Sequence, residues 1–484
     1  MTSGEESEIS PVEAKFWADK RTLQDVMKNK LNKPTAVAIG VSPENYDTIK
    51  EELRPTTKIV EKEHAKIFTL RGQAEEFYKL QPFFYDKAGL FWLWDNELSY
   101  YVRINKDEEL LNIIHYHTQI DTISTKIKTE LLSALKQVGI SKIPKDPPKT
   151  WIQFNNGIID VGNSRDEIRL ASPNYFMTNP IPWELHDNEH TPYFDQLFEE
   201  WVGKDYIQTL YEIIAYCMLP DYPIQRMFCF VGEGMNGKSC FLNVIRKFLG
   251  KHNTTATDLD RLLTSRFEVS RLYKRLACFI SETNFGEMKQ TSMLKQLTGN
   301  DLMAFEYKQK DNFEDVNYAK ILISTNNLPE TNDKTLGFYR RWLLIDFPNK
   351  FSEKKDILSD IPDEEYTRLA SKCVRILTEL LSKREFWNEG TVENRTKKYE
   401  DLSNPLEKFL KEFTIEDYNG FIWKAEFERK FGEWCKENKQ RQMSEVALGK
   451  KMKLKGINQD LRHADWMTSG TSQRGRVWVG IKWK

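Results

Sequence analysis

Residues 226–250, RMFCFVGEGMNGKSCFLNVIRKFLG, restrict the fold more than any other stretch of this chain. An unbroken apolar run enters Gly232-x4-Gly237-Lys238-Ser239, and apolar residues at 241, 242, 245 and 249 follow at helical spacing. Strand, glycine loop and helix in that order are the setting in which such a loop cradles phosphates. The glycines let successive N–H groups converge at a helix N-terminus, whose dipole favours negative charge. The expected cradle is Gly232, Gly234, Asn236, Gly237, Lys238, Ser239 and Cys240, with Lys238 reaching the β- and γ-phosphates and Ser239 holding Mg2+. A chance glycine-rich turn is the alternative, and the agreement of motif with context speaks against it.

Such a site needs a carboxylate beside the metal, at the end of a neighbouring strand. RLACFISETN (275–284) is an apolar strand pattern ending in Glu282, the expected metal and catalytic carboxylate, although a surface glutamate after a buried strand would look the same. AKILISTNN (319–327) is a third such pattern, ending in Ser-Thr-Asn. An amide at that strand end can hold an attacking water near the γ-phosphate, so Asn326 is the candidate sensor, with a plain strand-terminating asparagine as the alternative. The fourth pattern, RWLLIDF (341–347), begins at an arginine pair, from which Arg341 is expected, ahead of Arg340, to reach a neighbouring subunit's nucleotide. Paired arginines also bind helix carboxylates or DNA.

Composition sets the class. The chain is 40% hydrophobic and 30% charged, too apolar for a disordered segment, and no run approaches the roughly 20 apolar residues of a membrane span. It begins MTSGEESEIS, which is no signal peptide, and its six cysteines include no C-x-x-C pair. A cytoplasmic protein without disulfides, structural zinc or membrane attachment is expected. Its 484 residues predict about three domains. The 71 basic and 72 acidic residues nearly cancel, yet residues 436–484 hold 12 basic against 4 acidic, an excess of +8 that suits a module meeting a polyanion.

Upstream, PTAVAIGV (34–41) reads as a strand and Ser42-Pro43 as the cap and first turn of a helix, giving a small α/β unit over 1–80. FFYDKAGLFWLWDNELSYYVR (83–103) reads as an aromatic hairpin turning at Asp95-Asn96-Glu97; a primase-type carboxylate pair with His115 and His117 is the rarer origin of such an acidic tip. KIPKDPPK (142–149) reads as an interdomain linker and FNNGIID (154–160) as a tight hairpin. Near the far end, helices over 405–413 and 424–438 precede Ser444, which can cap a helix carrying Lys450, Lys451, Lys453 and Lys455. Residues 465–483 read as a hairpin with Arg474 and Arg476 near its turn. Helix, helix, basic helix and hairpin describe a winged helix, with Lys450, Lys451, Lys453, Arg474 and Arg476 expected on DNA. A solvated basic face and a partner-docking face are the alternatives.

The glycine loop, Glu282, the Ser-Thr-Asn at 324–326 and Arg341, in this order and spacing, resemble the motifs of the superfamily 3 helicases of the AAA+ class. More narrowly, GEGMNGKS, LKQLTGND (294–301), FFYD and FNNG are similar to segments of the phage and plasmid primase C-terminal helicases and of the poxvirus primase-helicase. The resemblance covers roughly residues 85–484. It implies an α/β fold: an AAA+ P-loop core, a parallel sheet flanked by helices, over 206–385, with a helicase-associated oligomerisation domain over 81–205 and a winged-helix DNA-binding domain over 396–484. It implies an ATP- and Mg2+-dependent, hexameric ring helicase or replication initiator of a mobile element, phage, plasmid or virus. Such a protein moves 3′-to-5′ on single-stranded DNA, meets duplex DNA and works with other replication proteins. A pore hairpin over 302–316 is also implied, with Lys308 and Lys310 touching phosphates regardless of sequence and Tyr307 and Phe313 stacking on bases or packing the hairpin. A primase-helicase with a reduced N-terminal primase, an origin-binding initiator ATPase and a protein-remodelling AAA+ machine are the alternatives. The fewer than about 85 residues preceding the recognisable region are short for a catalytic primase.

Overall fold

The computed structural model describes residues 70–118, 124–162, 167–281, 288, 290–326, 328–352, 357–437, 442–464 and 473–484. The strand and helix expected over 34–53 lie outside these residues. The chain divides into two units, one of residues 1–81 and 106–138, the other of 82–105 and 139–484. Residues 81–205 are therefore shared between the two.

The first unit holds α1 (Leu70–Leu80), α2 (Asp107–Thr118) and most of α3 (Thr125–Ile140). Asp107, Glu108 and Glu109 start α2 and His115 and His117 end it, the charge order that suits the helix dipole. Leu110, Leu111 and Ile114 form its buried stripe, and Lys128 reaches Glu108 at 2.9 Å from α3.

The second unit opens with an antiparallel meander, β1 (Phe83–Tyr85), β2 (Phe91–Asp95) and β3 (Tyr100–Ile104). The expected aromatic hairpin is present. Asp95 Oδ1 accepts the N–H groups of Glu97 and Leu98 at 2.9 and 2.8 Å, so the acidic tip serves the turn. The hairpin at 154–160 is also present, as β4 (Trp151–Phe154) and β5 (Gly157–Asp160) around Asn155-Asn156. Residues 142–149 are no link between units; they lie inside the second one, where Lys145 bridges to Tyr175.

After α4 (Pro192–Val202) and α5 (Ile207–Cys217) comes a five-stranded parallel sheet. In chain order it contains β6 (Met227–Val231), α6 (Lys238–Leu249), β7 (Thr254–Ala256), α7 (Leu259–Thr264), β8 (Ala277–Ile280), α8 (Ser292–Leu297), the antiparallel hairpin β9 (Leu302–Phe305) and β10 (Phe313–Val316), β11 (Lys320–Thr325), α9 (Leu336–Tyr339) and β12 (Trp342–Asp346). The strand order is β12-β6-β11-β8-β7, which puts β6 between β11 and β12. Strand periodicity explains the unbroken apolar runs. Phe228 and Phe230 enter a hydrophobic layer with α4, α5 and α6, while Met227, Cys229 and Val231 enter a second layer on the opposite face. Leu343 and Ile345 against Trp342 and Leu344 repeat the division in β12. The long helix α10 (Asp363–Lys383) begins with three acidic residues and buries Tyr366, Leu369, Cys373, Ile376 and Leu380 against the first layer.

After α11 (Val392–Ser403), Asn404 caps α12 (Pro405–Phe413). Strand β13 (Thr414–Trp423), α13 (Lys424–Glu437), α14 (Glu445–Leu454), β14 (Asn458–Ala464) and β15 (Gln473–Trp483) follow, with an antiparallel sheet in the order β13-β15-β14. Ser444 accepts the Ala447 N–H and caps α14 as expected. The terminal hairpin begins at 458 and not at 465, and β13 is a strand the sequence reading lacks. Among the described residues, no helix is long and apolar enough to cross a membrane. All six cysteines are unpaired.

Candidate active site

The glycine loop leaves the C-terminal end of β6 and enters α6 at Gly237, whose φ of 90° lies in the left-handed region. A Cβ there would stand 2.6 Å from Trp201 Cδ1, so both conformation and space demand glycine. At Gly232 a Cβ would come within 2.5 Å of the Phe347 carbonyl oxygen, just beyond β12. Asn236 closes the same seam: it is buried, its Nδ2 donates to Phe347 O at 3.0 Å, and its Oδ1 accepts from Lys238 Nζ at 3.0 Å. Asn236 thus pins the loop to the edge of β12. No side-chain hydrogen bond from Gly237 caps α6, and the Lys238 N–H at its first turn reaches Asn236 Oδ1 at 3.5 Å.

Lys238 folds back over the loop. Its Nζ donates to the carbonyls of Gly232 (2.6 Å) and Glu233 (2.9 Å), and to Asn326 Oδ1 at 3.3 Å from the end of β11. The sequence-predicted lysine and sensor asparagine, 88 residues apart, therefore meet. Ser239 is exposed at the mouth of a groove of about 410 Å3, beside Ser281 and Ser324 and the basic side chains of Arg246, Lys251 and Arg271. Glu282 lies outside the described residues, immediately after Ser281 at the end of β8. At the other end of β11, burial lowers Lys320 to about 7 while its Nζ donates to the carbonyls of Leu219, Asp221 (2.7 Å) and Tyr318 (3.1 Å).

Residues 74–203 match a family described as D5 N terminal like. This D5-N-terminal-like segment includes α4, so the helix that sets Trp201 under Gly237 comes from it. Residues 230–341, from the glycine loop to the arginine pair, match a family of unknown function, DUF5906. Three solved structures, apo forms of the NrS-1 C terminal region, align over 84%, 85% and 80% of this chain and 98%, 98% and 86% of theirs. Their identities are 12%, 12% and 14% and their TM-scores 0.43, 0.45 and 0.43, likenesses too low to fix fold or function.

The arginine pair differs from expectation. Arg341 is 7% exposed; its Nε donates to Thr298 Oγ1 at 2.9 Å and its Nη1 to the Gly337 carbonyl, all within its own chain. The exposed member is Arg340, whose Nη2 donates to Gln225 Oε1 at 2.7 Å. A one-residue step at the entry to a strand turns the side chain to the other face, so the two arginines differ in exposure.

At the β9–β10 tip, Lys308 is exposed, whereas Lys310 Nζ donates to the Gly89 carbonyl of the meander. Tyr307 and Phe313 stack on each other at 6.2 Å and pack the hairpin, with Phe305 beside them. On α14, Lys450 and Lys453 are exposed, but Lys451 pairs with Glu330 at 2.6 Å in the loop after β11 and so braces the terminal module. Arg476 is exposed on β15; the side chain of Arg474 lies outside the described residues. Sequence reasoning missed Trp201, Phe347 and the pinning role of Asn236, which are joined only by tertiary contact.

Proposed function

We propose that this protein is an ATP-hydrolysing DNA motor of a replication system, a superfamily 3 type helicase acting as a ring of subunits, with six as the ring size that the resemblance implies. The observation that carries the reading is the meeting of Lys238 Nζ with Asn326 Oδ1 at the N-terminus of α6. The D5-N-terminal-like description supports a place in replication. When bound, ATP with Mg2+ supplies the phosphoanhydride whose cleavage drives movement. Lys238 would hold phosphate oxygens in place of the Gly232 and Glu233 carbonyls, and the Ser239 hydroxyl would hold the metal. The Asn326 amide orients a water, and Glu282 is the proposed carboxylate that takes its proton.

Arg340 is the proposed arginine finger in place of Arg341. Lys308 is proposed to hold strand phosphates at the hairpin tip, and α14 with the β14–β15 hairpin is proposed as a winged helix meeting duplex DNA through Lys450, Lys453 and Arg476. The test is hydrolysis with and without single-stranded oligonucleotide, alongside displacement of a labelled strand from a forked duplex. Stimulation together with displacement is expected. Hydrolysis that ignores DNA points to protein remodelling, and stimulation without displacement points to an initiator ATPase.

A further inference from the structure

Away from the glycine loop, the second unit has an open cavity of about 460 Å3, within the usual range for a small-molecule site. Its walls come from the meander, the 142–149 segment, β4, the segment before β8 and the end of β10. Lys274 is the singular residue there. Its backbone sits at φ 55°, uncommon for a side chain of this size, and its Nζ stands 5.0, 5.5 and 5.9 Å from the ring centres of Phe176, Tyr273 and Tyr318. That Nζ has no hydrogen bond or ion pair among the described residues, and burial lowers the ammonium below the ordinary lysine value. Gln153 supplies the opposite polarity: it is 2% exposed, its Nε2 donates to Ser99 O at 2.7 Å, and its Oε1 is buried without a partner.

Charge decides which ligand fits. Lys87 with Asp315 (3.4 Å) and Lys149 with Asp221 (2.9 Å) neutralise each other, and Asp86 is occupied by the Leu90 N–H, the Trp92 indole and the Tyr273 hydroxyl. Lys274, Asp146 and Asp86 remain, with no excess of positive charge, so a phosphate gains little here. A flat neutral ring with an acceptor facing Lys274 Nζ gives that ammonium a hydrogen-bond partner and stacks on the aromatic walls. We propose that this cavity takes an unpaired nucleobase, either of a free nucleoside or turned out of a DNA strand. The site stands independently of the nucleotide reading of the glycine loop.

The probes are 2-aminopurine deoxyriboside and an oligothymidylate carrying one 2-aminopurine, each titrated by fluorescence onto the full chain with excess ATP present. Saturable quenching is expected, unchanged in Lys238→Ala and weakened about 10- to 100-fold in Lys274→Met, as loss of one hydrogen bond from a charged donor implies. Val316→Trp, which fills the cavity and removes no polar partner, should weaken binding as well and decides alone if Lys274→Met does not fold. Quenching by the nucleoside assigns a free ligand, and quenching only within the oligonucleotide assigns a strand base. No quenching by either probe, or unchanged binding in folded variants, overturns the site.

Discussion

Replacing the two members of the arginine pair separately should give opposite phenotypes. Arg341 is buried and holds Thr298 Oγ1 and the Gly337 carbonyl. Each bond from a charged donor is worth roughly 1.5–3 kcal/mol, but Thr298 Oγ1 keeps its own bond to Leu294 O, and removing the guanidinium relieves a buried charge. A net loss of about 2–4 kcal/mol is therefore expected for Arg341→Ala. It should be read as a lower guanidinium midpoint that does not depend on protein concentration. Arg340 is exposed and its guanidinium donates to Gln225 Oε1, so Arg340→Ala should stay within about 0.5 kcal/mol of the parent in stability. It should nevertheless lose ATP hydrolysis and regain part of it when mixed with Lys238→Ala subunits, because each mixed seam can pair an intact loop with an intact arginine. An Arg341→Ala protein of parental stability that complements Lys238→Ala would refute the reasoning, as would an Arg340→Ala protein that unfolds early.

Three further outcomes follow from individual contacts. Gly237→Ala should cost about 2–4 kcal/mol from its left-handed backbone and the approach to Trp201, and should weaken nucleotide binding; parental melting would remove Trp201 from the support of the loop. For Lys320, the folded value of about 7 lies below the ordinary value of about 10.4, so the unfolded chain binds the extra proton between them and stability rises with pH across that window. Lys320→Met should flatten the rise in guanidinium midpoint between pH 7 and 9, and an unchanged slope contradicts the assignment. Lys308→Ala should flatten the salt dependence of single-stranded DNA binding by about 0.7 units of slope, whereas Lys310→Ala, already held by Gly89 O, should not; equal effects would place both lysines on the strand.

The strands of the parallel sheet were legible because burial on both faces leaves continuous apolar runs, and β6, β8, β11 and β12 all have them. The glycine loop and the meeting of Lys238 with Asn326 followed from where those runs end. Strand β13 was hidden because only its ends are buried and Asp-Tyr-Asn-Gly interrupts it, where the pairing to β15 shifts register between Glu416 and Phe421. The Pro/Lys stretch at 142–149 has the composition of a linker, yet it becomes a cavity wall because Tyr175 and the meander lie beside it in space. Lys451 looked the same as Lys450 and Lys453, and only the position of Glu330 separates a brace from a free cation. Contacts between segments far apart in sequence leave no local pattern to read.

The most direct test of the account is titration of a fluorescent ATP analogue with Mg2+ onto the parent chain and onto Lys238→Ala of equal thermal stability. Saturable binding by the parent and its loss in the variant are predicted. Equal affinity for both proteins would mean that the loop at 232–239 is not where a triphosphate is held.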